Sequence, residues 1–334
     1  MSCIQIPCCL IGFGRIGQIH YKNIMNSTNR NQWNILHIVE DEKMIDEVTN
    51  KMQYKDVNVT SSLEEALNDP KVKCVFICSP THMHYSHIMT CLKYDKHVFC
   101  EKPISENIEE IQKCYDYAKS KNLHLFCAYN RRFDNEICKL KTNIHSIGKI
   151  NQIICITRDY PYPNVDFLKN SSGIFNDCVI HEIDFINWVL DDKPLSVFAN
   201  AKKSKPSEIS GDQIDDSSIT MEYSNGICVF IYCSRISKTY DQRVEIFGDE
   251  GNLTIKNPFG EINTFTQYGR NISFKQRYEA SYINELTYFY KVVNKEEPMI
   301  ITKDDSVTNL TIIKACEESC KTEKKVLIEY FQNL

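Results

Sequence analysis

Three sets of side chains in this chain could do chemistry. The first is Lys102, within His97-Val-Phe-Cys-Glu-Lys-Pro-Ile104. Val98 to Cys100 reads as a short buried strand, and an acid, a lysine and a proline follow at once. A lysine at the carboxyl end of a strand in an open α/β sheet stands where such sheets bind ligands. Pro103 fixes its own φ and biases Lys102 toward an extended backbone. The ordinary alternative is a solvated lysine after a strand. The second set is Asp177 and His181, four residues apart in Ser172-Gly-Ile-Phe-Asn-Asp-Cys-Val-Ile-His-Glu-Ile-Asp184. On a helix they share a face. A histidine takes an alcohol proton near neutral pH, and a nearby carboxylate can hold its ring and stabilise the imidazolium. Its plain alternative is a surface acid–histidine pair. Asp184 reads either as a partner behind this pair or as a solvated acid. The third set is Gly12-Phe-Gly-Arg-Ile-Gly17, which lies between a strand and a helix.

That glycine spacing suits a dinucleotide. Gly12 permits a tight turn, Gly14 lets backbone approach a pyrophosphate, and Gly17 lets the helix pack on the sheet. Arg15 and Ile16 stand in the same turn and count with the cofactor-binding residues. The helix N-terminus offers free N–H groups and a positive dipole end to phosphates. A second strand, Ile35 to Val39, ends at Glu40. An acid there hydrogen-bonds the adenosine ribose and repels a 2′-phosphate, so the cofactor expected is NAD. Its alternative is a solvated turn acid.

Elements that position these groups follow from periodicity. Leu63–Leu67 and Ile108–Lys119 are helical, and Ser79-Pro-Thr-His-Met-His84 is a loop opening another helix, up to Lys93; Val72–Cys78, Val98–Cys100 and Leu123–Cys127 are strands. Alternation at this spacing predicts a doubly wound parallel sheet. Ser79, Thr81 and His84 then lie at a carboxyl strand end, on the cofactor side. His82, His84 and His87 are explained by a helix start, and no metal is expected. After Asn130-Arg-Arg-Phe-Asp134 the pattern changes. Ser218–Glu222 and Ile227–Ser234 flank one hairpin signal, and Val244–Phe247 and Leu253–Ile255 another. Ile150–Thr157 is strand-like, while Tyr282–Val293 and Val307–Cys320 look helical. The expected organisation is a dinucleotide-binding domain over 1–128 and a substrate-binding, oligomer-forming α+β domain over 129–334.

Bulk properties narrow the class. The chain has 334 residues, enough for two cores, and 42% hydrophobic and 25% charged residues, as globular domains do. A net charge of −5 argues against a nucleic-acid binder. No apolar run approaches the roughly 18 residues of a membrane span. Met1 to Ile11 lacks a basic start and reads as a first strand, not a signal peptide. The sixteen cysteines are scattered, many in apolar runs. That is reduced intracellular usage, so the expected location is the cytoplasm.

Together these pieces resemble the glucose-fructose oxidoreductase/inositol dehydrogenase superfamily, most closely its myo-inositol 2-dehydrogenase branch. The resemblance runs nearly end to end. Its segments are Gly12-Phe-Gly-Arg-Ile-Gly-Gln-Ile-His20, Cys78-Ser-Pro-Thr81, His97 to Pro103, Tyr129-Asn-Arg-Arg-Phe-Asp134, Gly173 to Asp184 and Tyr240-Asp-Gln-Arg-Val-Glu-Ile-Phe-Gly248. It implies a Rossmann domain followed by a domain with a large open, mainly antiparallel sheet, whose exposed face builds homodimers or homotetramers. It implies NAD-dependent oxidation of a cyclic polyol, myo-inositol first. His181 would be the general base, Lys102 would hold the reacting oxygen, and Asp177 would orient His181 and bind a hydroxyl. Thr81, His84 and Glu101 would lie near the nicotinamide and its ribose. Arg158, Asp159 and Tyr240 are the candidate substrate-side residues; the first two read equally as a solvated pair. Where the branch has Tyr-Gly-Tyr before Asp-Gln-Arg, this chain has Ser234-Arg-Ile-Ser-Lys-Thr-Tyr-Asp-Gln-Arg243, one residue shorter with only Tyr240. A different inositol isomer, an aldose or a dihydrodiol is therefore an alternative substrate. A non-catalytic dinucleotide-sensing regulator is the alternative from another class.

Overall fold

The computed structural model describes residues 5–26, 28–52, 56–169, 171–204, 213–256 and 273–330. The chain forms two compact units, one of Met1–Asn130 with Ala280–Val307, the other of Arg131–Glu279 with Thr308–Leu334. A single cut after residue 128 therefore misplaces the segment from 280 to 307.

Six strands build the first unit: β1 (Ile6–Ile11), β2 (Trp33–Val39), β3 (Asn58–Thr60), β4 (Cys74–Ile77), β5 (His97–Cys100) and β6 (Leu125–Cys127). They lie in the order β3-β2-β1-β4-β5-β6, all parallel. That is the doubly wound order, with its switch point between β1 and β4. Such strands read as unbroken apolar runs because both faces are covered, and every residue of β4 and β6 is buried. The connecting helices are α1 (Arg15–Asn26), α2 (Ile45–Lys51), α3 (Leu63–Asn68), α4 (Thr81–Lys93) and α5 (Ile108–Ser120). α2 and β3 carry too weak a period to be read from sequence. Ile4 lies outside the described residues. Thr81 to His84 form the first turn of α4 and not a loop.

The returning helix Glu279–Val293 explains why the 280–307 segment belongs here. Phe76, Phe99 and Phe126 stand directly opposite one another across β4, β5 and β6. Phe289 of the helix closes on all three, at ring distances of 6.2, 5.7 and 5.4 Å. Trp33 is 1% exposed and stacks on Phe289 at 5.5 Å, and its indole N–H donates to the Leu286 carbonyl at 3.2 Å. An amphipathic period shows that a helix buries one face, not which sheet receives it.

The glycine turn is set by close contacts. Gly12 has φ +88°, and a Cβ there would sit 2.7 Å from the Cys78 carbonyl group. A Cβ on Gly17 would meet the Gly12 carbonyl oxygen at 2.1 Å. Gly14 is different, since a Cβ would meet nothing within 4 Å.

Seven strands build the second unit's sheet: β7 (Ile150–Arg158), β8 (Pro194–Lys202), β9 (Asp216–Tyr223), β10 (Cys228–Ser234), β11 (Asp241–Gly248), β12 (Asn252–Ile255) and β13 (Val326–Leu327). Their order is β12-β11-β7-β10-β9-β8-β13; among the described strands only β7 and β10 pair in parallel. Gly226, at φ +86°, closes the β9–β10 hairpin. One face is core, with Ile153, Val197, Ile219, Val229 and Val244 each at 2% exposure or less. Buried ion pairs fix the start of this unit. Arg132 grips Asp184 through two bonds of 2.9 and 2.7 Å, and Asn309 donates to the same carboxylate at 2.8 Å. Arg131 pairs with Glu182, which also accepts from Gln242 at 2.7 Å. Arg277 pairs with Asp134 at 2.6 Å.

No described helix is long and apolar enough to cross a membrane. The fifteen described cysteines are free thiols.

Trp33→Ala should cost about 3–5 kcal/mol of stability in urea unfolding, because it empties the space between β2 and the returning helix; a loss below about 1 kcal/mol would contradict that packing. Gly12→Ala should destabilise by more than about 1 kcal/mol, from its positive φ and the contact with Cys78. Gly14→Ala should leave stability within about 0.5 kcal/mol. It should still weaken NAD binding at least tenfold, about 1.4 kcal/mol, in a fluorescence titration. Equal effects of the two changes on stability and binding would refute the separate roles.

Candidate active site

In the first unit the predicted cofactor residues converge on the carboxyl edge of the sheet. Gly12 and Gly14 follow β1, Glu40 follows β2, Ser79 follows β4, and Glu101 and Lys102 follow β5. Glu40 is half-buried, and its two oxygens accept from the backbone N–H of Phe13 at 2.6 Å and of Asp41 at 2.9 Å. Each oxygen keeps a second lone pair, so ribose hydroxyls could still donate to it. Gly14 and Arg15 are exposed and Ile16 half-buried at the start of α1. Open space at Gly14, a clash-free turn at Gly12 and a helix N-terminus behind them fit a pyrophosphate.

His84 takes a place the sequence does not reveal. It is 1% exposed, with Nδ1 2.7 Å from the Pro103 carbonyl oxygen and Nε2 2.9 Å from that of Ser79. The ring thereby braces the loop after β4 against the loop after β5. Burial lowers its pKa, and the two carbonyls oppose that shift. Ser79 Oγ meets His87 Nδ1 at 2.9 Å. Thr81 and Lys102 are half-buried. Glu101, also half-buried, donates its backbone N–H to the Ile77 carbonyl at 2.9 Å and meets His20 Nε2 at 2.8 Å.

In the second unit, Arg158, Asp159, Tyr240 and Asp177 gather at one end of the sheet. Arg158 ends β7 opposite Ser234 of β10 and Asp241 of β11. Asp159 N–H donates to the Ser234 carbonyl at 2.8 Å. Cys178 Sγ donates to the Asp159 carboxylate at 3.5 Å. Tyr240 is 5% exposed, and burial pushes its pKa well up. Arg158 and Asp159 are not a solvated pair, since Arg158 bonds Asp241.

Asp177 and His181 differ from the expectation of one regular helix. Asp177 lies in a π turn, Phe175–Val179, and His181 in the α-helix Ile180–Leu190 that follows. Simple i,i+4 geometry therefore does not set how they face. Both are half-buried, whereas Cys178, Val179, Ile180, Glu182 and Ile183 are buried. π turns recur at functional sites because the extra residue re-aims side chains. Asp177 accepts from Ser171 Oγ and, at 2.6 Å, from Arg235. Arg235 is 1% exposed and was missed from sequence, though a charged residue directly after an apolar strand was a usable signal. Asp184 is not a solvated acid; it is 1% exposed and bound by Arg132.

Comparison with known proteins places these features in a family. Residues 6–129 match the oxidoreductase family with an NAD-binding Rossmann fold, and residues 143–254 match the GFO/IDH/MocA C-terminal domain. The chain is 32% identical to myo-inositol 2-dehydrogenase of Thermotoga maritima, over 96% of this chain and 98% of that one. It is 28% identical to inositol 2-dehydrogenase of Rhizobium meliloti, over 96% and 98%. The crystal structure of a myo-inositol dehydrogenase from Corynebacterium glutamicum superposes with a TM-score of 0.84 at 26% identity, covering 98% of this chain and 99% of that one. The order of the parallel sheet, the glycine turn and these matches agree. The chain belongs to the GFO/IDH/MocA oxidoreductase family and is an NAD-dependent dehydrogenase of the inositol dehydrogenase type.

Proposed function

We propose that this enzyme oxidises a ring hydroxyl of a cyclic polyol to a ketone, with myo-inositol giving 2-keto-myo-inositol as the first substrate to test. The observation that carries the reading is the pair Asp177 and His181, half-exposed in a helical segment whose other side chains between them are buried. NAD, when bound, supplies the acceptor for the hydride from the carbinol carbon. His181 takes the hydroxyl proton as general base. Lys102 stabilises the negative charge that develops on the oxygen as alcohol becomes ketone. Asp177 orients His181 and binds a hydroxyl; its bonds to Arg235 and Ser171 support a fixed carboxylate. Arg158, Asp159 and Tyr240 serve the substrate, and Thr81, His84 and Glu101 the nicotinamide end. Glu40 reads the ribose and disfavours a 2′-phosphate by charge.

A second reading changes only the substrate. Tyr240 stands alone where the branch has two tyrosines, and it is 5% exposed. A site with one hydroxyl partner fewer should choose differently among isomers. Another inositol, an aldose or a dihydrodiol then becomes the substrate.

The open face of the second sheet supports a homo-oligomer. Ile154, Ile156, Phe230, Tyr232 and Phe198 share that face by register. Tyr232 is 49% and Phe198 37% exposed. Such an apolar stripe suits a second copy of the sheet.

Mixing the enzyme with NAD and a panel of polyols should raise absorbance at the NADH band, and silence across the panel would refute the enzymatic assignment. His181→Ala should cut turnover by roughly 10²- to 10⁴-fold in the same assay. Near-normal turnover would remove its role as base.

A further inference from the structure

His20 of α1, Glu101 after β5 and Glu285 of the returning helix meet inside the first unit. His20 and Glu285 are 0% exposed, and the Glu101 side chain is 12% exposed. One nitrogen of His20 and one carboxylate oxygen from each glutamate all lie within 4.8 Å of one another. Neither oxygen of Glu285 has a hydrogen-bond partner among the described residues. Aromatic rings pack on the histidine: Phe99 lies edge-on to His20 at 5.2 Å and Tyr282 at 5.8 Å. An ionised carboxylate without a donor is strongly disfavoured in such a place. Two carboxyls this close cannot both be ionised cheaply, so the more buried one keeps its proton. Glu101 is the more exposed, and its carboxyl oxygen lies 2.8 Å from His20 Nε2.

Glu101 directly precedes Lys102. We propose that Glu285 is a positioning residue for Lys102: it carries a proton at neutral pH and, facing Glu101 beside His20, fixes the strand end from which the lysine projects. The positioning rests on the role given to Lys102 above, whereas the protonation of Glu285 does not. The other titratable neighbours are the Cys78 thiol beside both carboxyls, and Cys100, His84 and Lys102 around Glu101. Burial, and after it the Glu101 charge, raises the Glu285 carboxyl well above its ordinary 4.5. The folded chain then holds a proton that the unfolded chain has released. Stability therefore falls as pH rises from about 4.5 toward the folded value. A neutral glutamine of the same size removes that slope.

Infrared difference spectra of the full-length protein, wild type minus E285Q at neutral pH, should show the C=O band of a protonated carboxylic acid, shifted in D₂O. Absence of that band overturns the proposal. The melting temperature of E285Q relative to wild type should climb with pH above about 4.5; a constant difference counts against it. In the polyol assay E285Q should keep turnover within a few-fold, while E285L should lower kcat by roughly 10²-fold with NAD affinity little changed. Loss in both variants, or a stoichiometric metal ion that elemental analysis finds in wild type but not in E285Q, would show that a carboxylate is required and overturn the proposal. If E285L does not fold, the spectra and E285Q still decide. If no polyol is oxidised, the functional reading fails while the spectra continue to test Glu285 alone.

Discussion

The first unit depends on a backbone-to-backbone approach that only glycine permits. Gly12 lies against the Cys78 carbonyl, and Gly17 lies against Gly12 itself. A side chain at either place would push α1 off the sheet and β1 away from β4. Because the turn closes, the ends of β1, β2, β4 and β5 share one edge, and Glu40 can accept from the Phe13 N–H. Every cofactor-side residue hangs from that edge. His84 then joins the loops after β4 and β5 through two carbonyls, so the segment bearing Lys102 is held from the Ser79 side as well.

The second unit solves a different problem, that of holding charge out of water. Arg131, Arg132 and Asp134 sit within four residues of one short segment, and each finds a buried partner. Removing one partner of such a pair leaves an uncompensated buried charge, which is far costlier than losing a surface pair. Glu182 and Asp184 follow His181 in the same helix, so those ion pairs fix the helix on which the histidine stands. Arg235 does the same for Asp177 across from the end of β10. The π turn between these anchors lets Asp177 and His181 stay partly exposed in a buried segment.

Glu285 and Asp184 show how burial alone does not decide a carboxyl's state. Both are 1% exposed or less. Asp184 has a bidentate guanidinium and an amide, so its charge is balanced. Glu285 has another carboxyl for a neighbour, and its oxygens find no donor among the described residues. The same side-chain chemistry thus serves as an ion-pair anchor in one place and as a neutral acid in the other.

Much of the first unit was legible in the sequence, because parallel strands buried on both faces write themselves as apolar runs and the glycine turn has a fixed spacing. Lys102, Glu40, Ser79 and Thr81 could be placed at a strand end from local order alone. The hairpins at Gly226 and Gly251 were legible for the same local reason, whereas β8 and β13, which carry no turn signal between them, were not. Whatever depends on a partner distant in the chain was also hidden. Nothing near residue 285 says that its helix packs under Phe99, and nothing near residue 235 says that its arginine meets Asp177. Local sequence determined the element types, the dinucleotide turn and the kinds of side chain available for chemistry. Tertiary structure alone decided which charges are buried, which partner each one meets and where Asp177 and His181 point, because burial and pairing are properties of contacts between segments that the linear order does not contain.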